Sequence, residues 1–294
     1  MNYKKILTVQ DISCVGQCSL TVALPILSAC GLETCILPSA VLSTHSVGFT
    51  DYTFRDLTDD MPKIQEHWQR EGIMFDAIYT GYLGNIKQID QVKQIFSSMG
   101  TSECIRFVDP VMAEGGKLYP GFDESYVAAI KKLCQSADVI LPNITEACLL
   151  TGTDYKEKYD EAYIHTLMQK LSQLGAGTVI MTGVGYASDK TCIATYDNGQ
   201  YYYYEHDKID TICHGTGDIF ASALVGAVMN GLSIETSIKI AADYTLQCIV
   251  NTQEDKKHWY GVHFEPVLHQ LISYINEAVQ KMNDDSVVQG LPHL

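Results

Sequence analysis

Asp210-Thr211-Ile212-Cys213-His214-Gly215-Thr216-Gly217-Asp218 runs without a break into Ile219-Phe220-Ala221-Ser222-Ala223-Leu224-Val225-Gly226-Ala227. A polar turn with paired glycines feeds an apolar segment of helical length. The first N–H groups of that helix, which have no intrahelical acceptor, point at whatever occupies the turn. Such a helix start is an anion site. Gly215 and Gly217 lack a Cβ, so the backbone can approach an oxyanion closely and take torsions that other residues resist. Asp218 falls in the first helical turn, where the helix dipole stabilises a carboxylate. A carboxylate beside a nest of N–H donors suits one chemical step, in which it takes a proton from a hydroxyl while the donors hold the phosphoryl group being transferred. An ordinary helix start with loop glycines and an N-terminal Asp would read similarly. Two glycines, Thr216 and Asp218 together, ahead of a helix too apolar to lie on a surface, favour the functional reading.

Outward from this stretch, strand-like runs at 5–10, 33–39, 76–80, 103–108, 138–141 and 178–181 alternate with helical segments at 19–29, 61–71, 88–99, 125–134 and 159–174, and a further helix opens after 143. The alternation predicts an α/β fold: a three-layer α/β/α sandwich with a mostly parallel central sheet and right-handed crossovers. Pro25 predicts a kink or a late start in the first helix. Residues 190–196 and 200–205 flank Asp197-Asn198-Gly199, a hairpin signal, with Tyr201 to Tyr204 in its second strand. Residues 40–53 are polar and aromatic without a helical period and read as a loop or small substrate flap at the sheet's edge. Helices at 234–250 and 264–282 follow, and from Asn283 the chain reads as a frayed tail. No linker or composition shift divides it, so residues 1–283 are expected to form one domain and 284–294 a C-terminal tail.

Twenty Lys and Arg against 35 Asp and Glu leave a formal charge of -15, which argues against a nucleic-acid or anionic-membrane surface. Phosphates would have to be handled locally, by helix N-termini and a divalent metal. No apolar run approaches the roughly 20 residues of a membrane span, and Met1 to Lys5 leads straight into a strand-like run, so a cytoplasmic protein is expected. The ten cysteines are scattered through core-like segments (Cys30, Cys134, Cys148, Cys248), as free buried thiols are, and Cys14 and Cys18 lack the second pair of a zinc site. Gly183-Val184-Gly185 is followed by a strand-like run where a dinucleotide fold needs a helix. Gly115-Gly116-Lys117 lacks both the first glycine and the hydroxyl residue of a phosphate-binding P-loop.

In such sheets ligands bind at the carboxyl ends of the strands. Asp109, Asn143 with Glu146, Thr182 with Gly183, and Asp218 all fall directly after strand-like runs or at a helix start, so the topology predicts one shared rim. Asn143 and Glu146 sit three apart in a first helical turn, where they can face the same side and suit a hydrated Mg²⁺ that asks for few protein ligands. The same spacing is that of a capping box. Both readings stand at this point.

Gly215-Thr216-Gly217-Asp218 followed by a small-residue helix resembles the signature of the ribokinase-like superfamily, and Asn143-x-x-Glu146 resembles a motif that the superfamily associates with metal and phosphates. Asp109-Pro110-Val111-Met112 resembles the segment of its pyridoxal kinase and hydroxymethylpyrimidine kinase branch. Gly81-Tyr82-Leu83-Gly84 and Leu42-Ser43-Thr44-His45-Ser46 resemble pyridoxal kinases more specifically, and the likeness spans roughly residues 5–275. It implies a ribokinase-like, ATP-dependent kinase acting on the 5′-hydroxymethyl group of a vitamin B6 vitamer. Asp218 would be the catalytic base and Gly215, Thr216 and Gly217 the anion hole. Asp109, Asn143, Glu146, Thr182 and Gly183 would hold ATP, with Glu146 and Asp109 at Mg²⁺, and Asp11, Ser46, His45 and Tyr82 would line the substrate pocket. A monovalent cation is a further cofactor candidate, and a homodimer is expected. A hydroxymethylpyrimidine kinase, which shares fold and mechanism, and a non-catalytic vitamer-binding regulator are the alternatives. Two departures matter. Gln10 is followed by Asp11 where pyridoxal kinases carry Ser, and a carboxylate favours a protonated ring nitrogen or an amine, so a bias toward pyridoxamine or the pyridinium form is expected. The Thr182-Gly183 site also lacks the Lys of some relatives.

Overall fold

The structure is a computed structural model and describes residues 3–186, 189–209, 213–253, 255 and 258–289. Residues 210–212 of the opening stretch and the end of the tail at 290–294 lie outside the described residues. The strands are β1 (Lys5–Ser13), β2 (Glu33–Leu42), β3 (Phe54–Asp56), β4 (Phe75–Thr80), β5 (Gly100–Val108), β6 (Ala113–Glu114), β7 (Lys117–Leu118), β8 (Val139–Ile140), β9 (Thr178–Val184), β10 (Lys190–Asp197) and β11 (Gln200–Asp207). The helices are α1 (Leu20–Ala29), α2 (Met61–Arg70), α3 (Ile86–Ser98), α4 (Glu124–Cys134), α5 (Ile144–Thr151), α6 (Glu161–Ser172), α7 (Thr216–Met229), α8 (Ile234–Gln253) and α9 (Leu268–Gln289).

Alternate residues of the inner strands enter two separate apolar cores, as the period of two in an extended chain requires. Leu7, Ile78, Val108, Ile140 and Val179 face the core shared with α2 to α6. Ile6, Ala77, Phe107, Val139 and Ile180 face the core shared with α1, α7, α8 and α9. Strands buried on both faces and helices on either side make the three-layer sandwich that the alternation predicts. The sheet order is β11-β10-β9-β8-β5-β4-β1-β2-β3. Pairing is parallel from β2 through β9, while β10, β11 and β3 join antiparallel at the edges. All six inner parallel strands therefore end on one rim. The Asn198-Gly199 hairpin is present, with φ of 46° and 95° at its two residues, as a tight turn between twisted strands demands. All ten cysteines are free.

The chain departs from its sequence reading in a few places. β1 continues past Gln10 to Ser13, with a register shift against β2 between Gln10 and Ile12, so Asp11 sits at a β-bulge rather than in a polar loop. β2 runs on to Leu42, because Leu37, Ala40 and Leu42 are buried in strand register, and the expected flap at 40–53 is a loop only from Ser43 before the chain pairs back through β3. α1 starts at Leu20, ahead of Pro25, so a late start is not seen. α9 continues to Gln289, past the expected start of the tail at Asn283. Asn283, Asp284 and Asp285 are exposed, and no Gly or Pro interrupts the helix before Gln289.

α7 packs between α1 and α8. A Cβ on Gly226 would stand 2.4 Å from the Cys30 Sγ and 2.9 Å from its Cβ. Gly226→Ala is therefore expected to lower stability by about 1–3 kcal/mol despite alanine's better helix propensity. Adding Cys30→Ala should recover most of the loss, with denaturant unfolding as the measurement.

Candidate active site

The N-terminus of α7 opens on the rim between the two layers. Gly215 has a φ of 88°, and a Cβ there would lie 2.1 Å from the Gln17 carbonyl oxygen, so only glycine lets the α7 turn nest against the loop after β1. Around Gly217 no protein atom lies within 4 Å of where a side chain would begin. Nothing in the fold demands glycine there, and the open space lies over free helix N–H groups. The Asp218 Oδ2 accepts the backbone N–H of Ser19 at 2.9 Å. Burial, with the Asp11 charge nearby, pushes the Asp218 carboxyl up to about 6 although the Ser19 N–H pulls it down.

Across the rim, Asn143 and Glu146 form a capping box at α5. Asn143 Oδ1 accepts the Glu146 N–H at 2.9 Å, and Glu146 Oε2 accepts the Asn143 N–H at 2.9 Å. Glu146 Oε1 takes the Met112 N–H at 3.0 Å, and Asn143 Nδ2 donates to the Ala113 carbonyl at 2.8 Å. Glu146 is only 2% exposed, and burial pushes its carboxyl up to about 8. Both of its oxygens serve the backbone, so Glu146 pins the chain after β5 to α5, where the sequence left a metal ligand equally open. Asp109 differs. Among the described residues no hydrogen-bond donor is recorded on its side chain, and burial together with Glu146 and Asp218 holds its carboxyl well above the usual carboxylate range. A half-buried, uncompensated carboxylate of this kind fits a hydrated divalent cation. No group of three or more His, Cys, Asp or Glu forms a cage among the described residues, as suits an ion that keeps most of its waters. Thr182 bridges to Asn143, its N–H reaching the Pro142 carbonyl at 3.1 Å, and Gly183 beside it has a φ of 72° with open space around it.

On the other side of Asp218 lies Asp11, 5% exposed, its carboxyl raised by burial and accepting the Ser13 hydroxyl at 3.1 Å. Tyr82 follows β4, and its phenol is pushed up to about 12 by burial and then by Asp11, so the structure brings these two together. His45 is buried, with Nε2 2.6 Å from the Tyr260 carbonyl and Nδ1 accepting the Val47 N–H at 3.1 Å. Both ring nitrogens are committed to protein partners, which makes His45 a clamp on the 43–53 loop instead of a free contact for a ligand. Ser46 next to it is exposed. Phe49 meets Trp259 with ring centroids 4.7 Å apart, and Gln17 joins His258 and Glu265, closing this side of the rim. The sequence reading missed Ser19, Met112 and this aromatic closure. Ser19 alone had a local signal, a hydroxyl residue directly before an apolar helix.

With this geometry in place, comparison with known proteins is specific. Residues 27–263 match the family described as phosphomethylpyrimidine kinase. A hydroxymethylpyrimidine/phosphomethylpyrimidine kinase of Bacillus subtilis is 31% identical over 185 residues; the match covers 62% of this chain and 66% of that protein, just under two thirds of its length. A phosphomethylpyrimidine kinase candidate from Bacteroides thetaiotaomicron is 36% identical in structure alignment, with a TM-score of 0.89 over 92% of this chain and 94% of that one. A second crystal form of that protein was obtained with pyridoxal. Pyridoxal kinase from Lactobacillus plantarum aligns with a TM-score of 0.86 at 32% identity, over 93% of this chain and 98% of its own.

If the Gly215 turn shapes the anion site, Gly215→Ala should cut turnover by about 10² or more through the displaced N–H groups and also lower the melting temperature, because its Cβ would meet the Gln17 carbonyl oxygen at 2.1 Å. Steady-state kinetics beside a thermal melt checks this. The sandwich with its ribokinase-like topology, the rim that gathers Asp109, Asn143 and Asp218, and the match over residues 27–263 place this chain in the phosphomethylpyrimidine kinase family of the ribokinase-like superfamily.

Proposed function

We propose that this chain transfers the γ-phosphoryl group of ATP to the 5′-hydroxymethyl group of a vitamin B6 vitamer. The observation that carries the reading is Asp218: a carboxylate at the mouth of a helix N-terminus, aimed by the Ser19 N–H and poised by burial at a pKa of about 6. At neutral pH it is ionised and close enough to the working pH to take a proton from an alcohol. The N–H groups from Gly215 to Asp218 receive the oxygens of the transferring phosphoryl group, and in-line transfer then needs positioning and charge stabilisation without a covalent nucleophile. Asp109 would hold a Mg²⁺, which when bound neutralises charge on the nucleotide phosphates. Thr182 and Gly183 lie where the nucleotide would pass over the rim, and Asn143 holds that edge through its bridge to Thr182.

For the acceptor we take Asp11, whose charge acts on both Tyr82 and Asp218, together with Tyr82 and the Ser46 loop that His45 clamps. A buried carboxylate whose recorded partner is the Ser13 hydroxyl suits a cationic heteroaromatic such as pyridoxamine or a pyridinium ring. The pyridoxal-bound form of the Bacteroides thetaiotaomicron relative supports a B6 vitamer. The Bacillus subtilis relative supports hydroxymethylpyrimidine as the second reading, since an aminopyrimidine also offers a protonatable nitrogen to Asp11.

The test is ATP consumption with each vitamer and with hydroxymethylpyrimidine, the phosphorylated product being identified by mass. Turnover of the pyrimidine alone would move the chain to the second reading, and vitamer binding without turnover would make it a regulator. Asp218→Asn should lower kcat by about 10²–10⁴. In the wild type, activity should fall as the pH drops through about 6, because protonation removes the base form that burial has made harder to keep. Asp11→Ser should shift preference away from pyridoxamine toward pyridoxal; an unchanged ratio of kcat/KM values would count against the role of Asp11.

A further inference from the structure

Gln17 stands half-buried in the loop between β1 and α1, and its side-chain amide spans the gap to the segment that joins α8 to α9. Its Nε2 donates to the Glu265 Oε1 at 2.9 Å, and its Oε1 lies 2.6 Å from the His258 Nε2. A carboxylate only accepts, so the amide NH₂ faces Glu265 and the amide oxygen faces His258, which donates from Nε2. The approach is close. A Cβ on Gly261 would stand 2.6 Å from the Gln17 Oε1 and 3.0 Å from its backbone nitrogen, so the segment reaches Gln17 only with glycine there. The bond to Glu265 is exposed to water and the bond to His258 partly so, and such bonds add little to stability. What they fix is the place of the Gln17 backbone.

That backbone meets α7. The Gln17 carbonyl oxygen lies 2.1 Å from where a Cβ on Gly215 would stand, and Gly215 is the N-cap of the helix whose first N–H groups face the open space at Gly217. The segment that holds the Gln17 side chain also holds the 43–53 loop. The Tyr260 carbonyl is 2.6 Å from the His45 Nε2, Trp259 packs on Phe49, and a Cβ on Gly48 would lie 2.7 Å from the Trp259 ring. One residue thus touches the helix start with its main chain and the clamp on the loop with its side chain.

We infer that Gln17 is a positioning residue: its amide anchors the carbonyl that backs the Gly215 turn, so the segment that clamps the 43–53 loop also sets where the α7 N–H groups point. The inference rests on the kinase reading above and adds to it a link between the acceptor loop and the anion site. Gln17 itself need touch neither substrate. Because those N–H groups serve the phosphoryl group in transfer, losing the anchor weakens the transition state more than the binding of either substrate.

The test is steady-state kinetics beside a thermal melt on Gln17→Ala, Gln17→Met, Gly261→Ala and the double variant Gln17→Ala/Gly261→Ala, with whichever hydroxymethyl substrate the wild-type protein turns over. Failure of the B6 reading shows in the identity of that substrate, whereas failure of this inference shows only in the variants. Gln17→Ala is expected to lower kcat roughly tenfold while the KM values for ATP and acceptor and the melting temperature barely move. Gln17→Met keeps the length of the side chain and loses both hydrogen bonds, so it should match Gln17→Ala and assign the effect to the amide instead of to bulk. Gly261→Ala, which drives the segment off Gln17, should lower kcat by a similar factor and the melting temperature as well. The double variant should fall no further than Gly261→Ala, since both changes act through one contact. An unchanged kcat in both Gln17 variants, a change in KM alone, or additive effects in the cycle would overturn the inference. A wild-type protein that turns over no acceptor would overturn the kinase reading and this inference with it. If one Gln17 variant fails to fold, the other decides the question.

Discussion

Four carboxyl groups gather at one rim, where burial is the leading influence on each and the charge of His45 pulls Asp11 part of the way back. Asp11, Asp109, Glu146 and Asp218 are all raised above their ordinary range, with burial as the leading cause each time. Among the described residues no Lys or Arg forms an ion pair with any of them. A buried charge is tolerated only where hydrogen-bond donors or a cation compensate it. The compensation here is graded. Glu146 has two backbone N–H donors, Asp218 has one plus the start of a helix, Asp11 has the Ser13 hydroxyl, and Asp109 has no donor recorded among the described residues. The most satisfied carboxylate pins the chain after β5 to α5, and the least satisfied is Asp109.

The same grading explains what the sequence could and could not disclose. Two-sided burial of the inner strands leaves a periodic imprint on neighbouring residues, so the alternation of strands and helices was readable, as was the helix start of α7 after its paired glycines. Asp11 was not readable as part of a strand. Its polar neighbour Ser13 looks like loop, while a bulge lets both continue β1 beyond Gln10. Glu146 stayed ambiguous because a capping box and a metal ligand use the same spacing. Only the burial of its side chain and its second donor, at Met112, separate the two. His45 illustrates the limit: its committed partner is the carbonyl of Tyr260, 215 positions away, and no local pattern encodes that contact. The Gly115-Gly116 pair, unexplained as a phosphate loop, is the turn of the β6–β7 hairpin, whose two-residue strands are too short to leave a period.

The location of each group relative to the sheet suggests how the two halves of the proposed reaction are kept apart. The capping box and Asp109 belong with β5 and α5, whose helix packs in the α2 to α6 layer. Ser19 and Asp218 belong with α1 and α7 in the opposite layer, and the 43–53 loop is tied through His45 and Phe49 to the segment between α8 and α9, again on that side. Groups suited to a nucleotide thus hang from one layer and groups suited to an acceptor from the other, with the α7 N-terminus at the seam. The seam is held by close backbone contact, Gly215 against Gln17, and by the Ser19–Asp218 hydrogen bond, neither of which can stretch without losing the helix start. An acidic chain with a net charge of -15 can therefore attract a polyanionic nucleotide through a small patch of oriented N–H dipoles and one metal-ready carboxylate.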